Sequence, residues 1–207
     1  MTRLYHITHA QNLQSILAYD GLWCDNSRQE RELNTIGIAH EHIKQRRARR
    51  SVPSGAQGTL ADYVPFYFAP RSPMLYAIHM GSVAGYDGEQ SSVVHLVFQV
   101  EHIVRHGLTY VFTDGHADMA ISRFFDATSQ LEHIDWQIME ERYWSDTDTD
   151  GDRTRRRQAE FLVHQFAPWS LCIEIGVINA GIEREVNSIL QAATHRPRVI
   201  VQRQWYY

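Results

Sequence analysis

Polar and apolar positions change period several times along this chain, and each change predicts an element. Leu4-Tyr-His-Ile-Thr-His9 alternates as a strand does, putting His6 and Thr8 on one side with His9 beyond its end. Leu13, Ile16 and Leu17 then fall at helical spacing within residues 10–17, and Gly21 stops that helix. Residues 25–34 are polar and predicted irregular; residues 36–47 are predicted as a short helix ending in basic side chains. A Pro/Gly/Ser loop over 51–58 leads into the most distinctive segment, residues 60–76. There Pro65, Pro70 and Pro73 interrupt an aromatic run, which limits the predicted strand to Phe66-Tyr67-Phe68. Ser72-Pro73 can open a helix that turns Met74, Leu75 and Ile78 inward.

The second half is read the same way. Residues 92–100 form a strong buried strand, 101–107 a short connecting helix or turn and 110–113 a further strand. Asp114-Gly-His-Ala117 is expected as a tight turn presenting His116, with helical pieces over 117–125 and 134–139. Residues 166–170 break the chain, 172–178 make a strand, 182–192 a helix and 198–205 a closing strand. No Gly/Ser/Pro-rich linker and no internal repeat divides the sequence, so residues 1–207 are expected to form one domain. The predicted class is α+β, a β-rich core of short strands with peripheral helices.

Composition narrows the class. At 43% hydrophobic and 21% charged, the chain can bury a sizeable core. It contains no apolar run of about eighteen residues and opens on no signal-peptide pattern, so a cytoplasmic protein with no membrane contact is expected. Its two cysteines, Cys24 and Cys172, fit reduced core residues better than a disulfide or a metal site. The net charge of −4 does not advertise nucleic-acid binding, but the basic residues are unusual in kind: all except Lys44 are arginine. They concentrate in Lys44-Gln-Arg-Arg-Ala-Arg-Arg50 and Arg153-Thr-Arg-Arg-Arg157. A planar guanidinium suits phosphates and stacked bases, which points to local anion sites.

Candidate chemistry centres on residues 145–163, where a charged run ends in Glu160 and passes directly into Phe161-Leu-Val163. A carboxylate at the mouth of a buried strand loses hydration, which marks Glu160 as a catalytic candidate and the run before it as a mobile substrate loop. Asp146, Asp148, Asp150 and Gly151 match the start of a calcium loop, but the required terminal Glu is Arg157, so no metal is expected. Walker A, GxGxxG and GxSxG signatures are absent. One buried carboxylate, histidines near strand ends, arginine clusters and an aromatic wall suit reaction through a cationic, sugar-like transition state. The carboxylate would stabilise that charge and arginine a departing diphosphate. A glycosidase would use the same set but needs a second carboxylate, and Glu160 has no convincing partner of that kind.

These motifs resemble the DarT-like DNA ADP-ribosyltransferase toxins of bacterial toxin–antitoxin modules. Tyr5-His-Ile-Thr8, Ile43-Lys-Gln-Arg-Arg47, the block from Asp62 to Tyr76, Phe112-Thr-Asp-Gly-His-Ala117, Gln158-Ala-Glu-Phe-Leu162 and Pro168-Trp169 carry the resemblance. The resemblance implies an ADP-ribosyltransferase-like fold and NAD as donor, with transfer of ADP-ribose to a base, thymidine, of single-stranded DNA. Carried over by motif, Glu160 and Arg47 are catalytic, and His6, Thr8, Tyr67 and Arg71 bind NAD. His116 lies near the acceptor base, and Arg155, Arg156 and Arg157 contact DNA. It also implies a macrodomain antitoxin as partner; the chain itself is expected to be a monomer. Other acceptors (guanosine, RNA, protein) and a non-catalytic nucleotide-binding module remain as alternatives, separable by nicotinamide release.

Overall fold

A computed structural model describes residues 1–86 and 88–207. In chain order the elements are β1 (Arg3–His9), α1 (Asn12–Ala18), β2 (Gly21–Trp23), α2 (Asp25–Glu30), α3 (Glu41–Arg47) and β3 (Tyr63–Tyr67). Next come α4 (Pro73–His79), β4 (Val93–Gln99), α5 (Val100–Arg105), β5 (Tyr110–His116), β6 (Phe124–Phe125) and α6 (Trp136–Glu140). The chain closes with α7 (Arg153–Arg157), β7 (Ala159–His164), β8 (Phe166–Pro168), β9 (Glu174–Val177), α8 (Ala180–Leu190) and β10 (Arg198–Val201). The expected α+β class, rich in short strands, is the observed one.

One eight-stranded sheet runs β10-β9-β4-β1-β3-β7-β5-β6, and a small second sheet pairs β2 with β8. Among the described residues all strand pairings are antiparallel except β9 with β10. The main core collects Leu4, Val64, Phe66, Leu96, Phe98, Phe112 and Phe161 on one face, under α1, α5, α6 and α8. A second cluster on the other face joins Tyr5, Ile7, Leu75, Ile78, Val97, Trp205 and Tyr206. Alternation along β1 therefore serves two cores at once.

The sheet is loosest where β1 meets β3, since their register is confined to Tyr5 opposite Tyr67. That slack explains why β3 runs from Tyr63 straight through Pro65, where the sequence predicts a strand starting only at Phe66. Pro65 pairs with Leu162 of β7 on one flank, and on the other no ladder bond is required of its missing N–H. The ring of His6 fills that flank, with Nδ1–H donating to the Pro65 carbonyl at 2.8 Å.

Other departures have local causes. Residues 25–34 are predicted irregular, yet Cys24 Sγ accepts from Ser27 N and starts α2. Residues 117–125 are predicted helical but form a turn and β6. The side chains that would anchor a helix, Met119 and Ile121, point outward at 43% and 68% exposure. Asp114 instead takes Arg123 N and draws β6 back along β5. Helix α4 forms as expected, with Ser72 as N-cap and Pro73 in the first turn.

Candidate active site

A cavity of about 340 Å³ opens at the β1–β3 split and draws side chains from both faces of the sheet. His6 and Thr8 of β1, Pro65 and Tyr67 of β3, Gln158 and Glu160 near the start of β7, and His116 at the end of β5 all line it. Arg47, the last residue of α3, closes one side, and Arg28, Thr35, Ile36 and Ile38 cover another. Register accounts for the juxtaposition: Tyr67 lies directly opposite Glu160, and His116 opposite Ala159.

Glu160 is 4% exposed and Arg47 9%. Arg47 Nη1 donates to Glu160 Oε2 at 2.8 Å, and the backbone N–H of Ala117 donates to Oε1 at 3.1 Å. Each carboxylate oxygen keeps a further lone pair for a ligand. Burial works against the Arg47 charge, but the adjacent Glu160 carboxylate more than offsets it and holds the guanidinium pKa above its ordinary value. Among the described residues, Arg47 Nη2 is buried with no hydrogen-bond partner. A charged donor left open beside a cavity favours an anionic or strongly polar ligand there.

The remaining wall is kept neutral. Burial pushes the His6 imidazole down to about 4, and its Nδ1–H is committed to Pro65, so Nε2 remains as an acceptor. Burial and the Glu160 carboxylate raise the Tyr67 phenol, which stays protonated and able to donate. Thr8 Oγ1 accepts from Asn12 Nδ2 at 3.0 Å. Asn12 also brackets Ile36, accepting from its N–H at 2.7 Å and donating to its carbonyl at 2.9 Å, which straps residues 33–40 across the cavity. His116 Nδ1 accepts from Asp118 N at 3.1 Å, so a neutral ring carries its proton on Nε2.

The structure brings together Glu160, Arg47, His6, Thr8, Tyr67 and His116 from five separate segments. The arginines around Arg47 point elsewhere: Arg46 pairs with Asp118, Arg49 is exposed, and Arg50 reaches the Met119 carbonyl. Four expectations need correction. Arg71 does not line the cavity; its guanidinium lies 4.3 Å from the Tyr207 ring centroid, a cation–π contact outside it. Arg157 is 3% exposed and donates to the carbonyls of Arg71, Ile138 and Met139, so it anchors the fold and cannot reach DNA. Arg155 is tied to Asp152, Asp114 and Ser122, and Arg156 to Asp135 and Asp150. The acidic run is accordingly an anchored turn, with Asp146 accepting from Thr154 N. Sequence reasoning missed Asn12, Arg28, Gln158 and the Ala117 N–H. Only Asn12 left a trace, lying four positions before Ile16 on the buried stripe of α1.

Comparison with known proteins places the chain in the class of NAD-using ADP-ribosyltransferases. A family described as "DarT: ssDNA thymidine ADP-ribosyltransferase" matches residues 5–207, and the chain belongs to that family. The DNA ADP-ribosyl transferase of Thermus aquaticus is 43% identical over 208 residues, covering 100% of this chain and 89% of that protein. The Thermus sp. 2.9 DarT in complex with ADP-ribosylated ssDNA superposes with a TM-score of 0.93 at 40% identity, covering 100% of this chain and 96% of the other. The same protein in complex with NAD+ gives 0.89 at 39% identity, covering 100% and 98%. A DNA ADP-ribosyl transferase-DNA ADP-ribosyl glycohydrolase fusion protein of Thermosipho africanus is 25% identical over 202 residues, spanning 96% of this chain and 47% of the fusion. The activity is thus transfer of ADP-ribose from NAD to thymidine in single-stranded DNA.

Proposed function

We propose that Glu160 and Arg47 carry this transfer within one domain spanning residues 1–207, and that the other cavity residues orient NAD. The observation behind the proposal is the buried pair itself, with Arg47 Nη2 left open beside the cavity. His6 Nε2 accepts from the nicotinamide carboxamide, Thr8 supplies a hydroxyl beside it, and Tyr67 walls that end. The bond from the ribose carbon to nicotinamide breaks with its electron pair leaving on nicotinamide. A new bond forms from a thymine nitrogen to the same carbon, and the nitrogen's proton is released to bulk water. Glu160 stabilises the positive charge on the sugar and holds a ribose hydroxyl, and Arg47 stabilises the diphosphate. His116, half-buried at the mouth, faces the acceptor base. Exposed Arg46 and Arg123, paired with Asp118 and Asp114 on either side of His116, replace the buried Arg157 as the phosphate-facing set.

A modified base blocks replication, so the chain acts as a toxin, and the partner that fits it is a macrodomain glycohydrolase that removes the modification. The fusion in Thermosipho africanus supports that partner for this chain. Action on DNA favours the cytoplasm, and none of the described helices is long and apolar enough to cross a membrane. The deciding experiment incubates the protein with NAD and oligonucleotides substituted base by base, reading mass. A gain of one ADP-ribose that requires thymidine and disappears in Glu160→Gln is expected. Full activity in that variant, or modification independent of thymidine, would refute the assignment.

A further inference from the structure

Helix α7 immediately precedes the strand bearing Glu160, and its Arg155 side chain packs against the neighbouring end of β5. That side chain is 11% exposed. Its Nε and Nη2 donate to the two carboxylate oxygens of Asp152, each at 2.7 Å. Its Nη1 donates to Asp114 Oδ1 at 3.0 Å and to Ser122 Oγ at 3.2 Å. Asp114 also takes Arg123 N at 3.0 Å and Arg123 Nε at 2.8 Å. Burial alone would raise the Asp114 carboxyl, yet these donors hold it below the usual carboxylate range.

The guanidinium lies over Gly115. A Cβ at that position would stand 2.2 Å from Arg155 Nη1 and 2.9 Å from both Cγ and Cζ, so only glycine admits the arginine this closely. Gly115 belongs to the irregular stretch of β5 between Phe112 and His116. Its carbonyl accepts from Thr113 Oγ1 at 2.7 Å, and that hydroxyl accepts from Glu160 N at 3.2 Å. Two residues further on, the Ala117 N–H meets Glu160 Oε1. The kink at Asp114-Gly115 therefore sets the direction of the backbone donor that fixes one oxygen of the carboxylate.

We propose that Arg155 is a positioning residue that clamps this kink and thereby keeps the Ala117 N–H aimed at Glu160. The proposal rests on Glu160 being the catalytic carboxylate. With the clamp in place, Oε1 and Oε2 are held from opposite sides by Ala117 and Arg47. Without it, the Asp114-Gly115 segment loses its outer wall, and Glu160 is held by Arg47 alone. A role for Arg155 in holding DNA phosphate conflicts with the geometry, because its fork would have to leave two aspartates first. Arg46 and Arg123, with side chains 56% and 64% exposed, are each held by one aspartate, Asp118 and Asp114, and keep most of their surface in solvent.

The test uses the full chain carrying Arg155→Ala, Arg155→Lys, Gly115→Ala or Asp114→Asn, beside wild type and Glu160→Gln. Steady-state ADP-ribosylation of a thymidine-containing oligonucleotide is measured, with oligonucleotide affinity by fluorescence anisotropy across a salt series. Arg155→Ala is expected to lower kcat at least about tenfold, as a displaced reacting group does, with both KM values within about threefold. Gly115→Ala, which keeps the arginine but pushes it off the kink, should reproduce the loss. Arg155→Lys should restore only part of kcat, since one ammonium cannot span both aspartates. The salt slope of oligonucleotide binding should match wild type, whereas loss of a phosphate contact would reduce it by about 1. Unchanged kcat in Arg155→Ala, or a raised oligonucleotide KM with a reduced salt slope, overturns the proposal. If Arg155→Ala does not fold, the same criteria are read from Gly115→Ala and Asp114→Asn. An active Glu160→Gln refutes the catalytic assignment, and the clamp falls with it; an inactive one beside an unimpaired Arg155→Ala refutes the clamp alone.

Discussion

Arg47 Nη1 lies 2.8 Å from Glu160 Oε2, across 113 positions of sequence, and both side chains are buried. Such a pair offsets the desolvation of its two ions only while both are present. Arg47→Ala should therefore lose stability by about 3–5 kcal/mol, because an unpaired carboxylate stays in the interior. Glu160→Gln keeps the shape and should retain NAD binding while kcat falls by on the order of 10²–10³, the loss of one well-placed electrostatic group. Calorimetry of the first variant and nicotinamide release by the second measure these effects. A Glu160→Gln variant whose defect lies entirely in the NAD KM would assign the carboxylate to binding.

Arg157 supports a different expectation. Its guanidinium donates to three backbone carbonyls, at Arg71, Ile138 and Met139, and burial pushes its pKa down to about 10. Arg157→Met orphans those carbonyls at about 1–3 kcal/mol apiece if buried without water. Thermal unfolding should shift down markedly while oligonucleotide affinity and its salt dependence stay at wild-type values. A reduced salt slope with unchanged melting temperature would return this residue to the DNA interface.

What could be read from the sequence follows from the range of the forces involved. Strands such as 92–100 carry their burial in their own apolar content, and α4 carries its start in Ser72-Pro73. Glu160 was legible because a carboxylate entering an apolar strand is locally anomalous. Its partner Arg47 was named only through the resemblance, since which arginine of residues 46–50 turns inward depends on where α3 docks. The Arg155–Arg157 triplet misled for the opposite reason: repeated arginines look solvated in sequence, and their partners Asp114, Asp135 and the carbonyl of Met139 are supplied by other elements. The Ala117 donor has no side-chain signature at all.

Asn12 tests the strap. Its amide makes both hydrogen bonds to the Ile36 backbone and a third to Thr8. Asn12→Leu should free residues 33–40 from β1, raising the NAD KM about tenfold, as two or three neutral hydrogen bonds are lost, with kcat nearly kept. Proteolysis within 33–40 should also accelerate in the variant and be suppressed by added NAD. An unchanged NAD KM would show that the strap plays no part in binding.

The pH dependence follows from two buried histidines. Burial pushes His6 and His95 each down to about 4; His6 faces Pro65, Arg28 and Asp25, and His95 bonds Pro70 and packs between Trp205 and Tyr206. Both are neutral in the folded chain, whereas the unfolded chain protonates them near their ordinary value of about 6.5. Between those values the unfolded state binds more protons, so these two histidines lower stability as pH drops from about 6.5 toward 4. Below that they add no further slope, and carboxylates such as Asp114, held below their ordinary range, take over the decline. His95→Gln keeps a donor toward Pro70 but cannot titrate, so its melting temperature should decline less steeply than wild type's across that window. Catalysis should follow a different course. His6 keeps its acceptor Nε2 down to about pH 4, so the NAD KM should remain level from pH 7.5 to 5 while the melting temperature is already falling. A KM that climbs near pH 6.5 would mean that His6 titrates freely, and the neutral acceptor assigned to it would have to be abandoned.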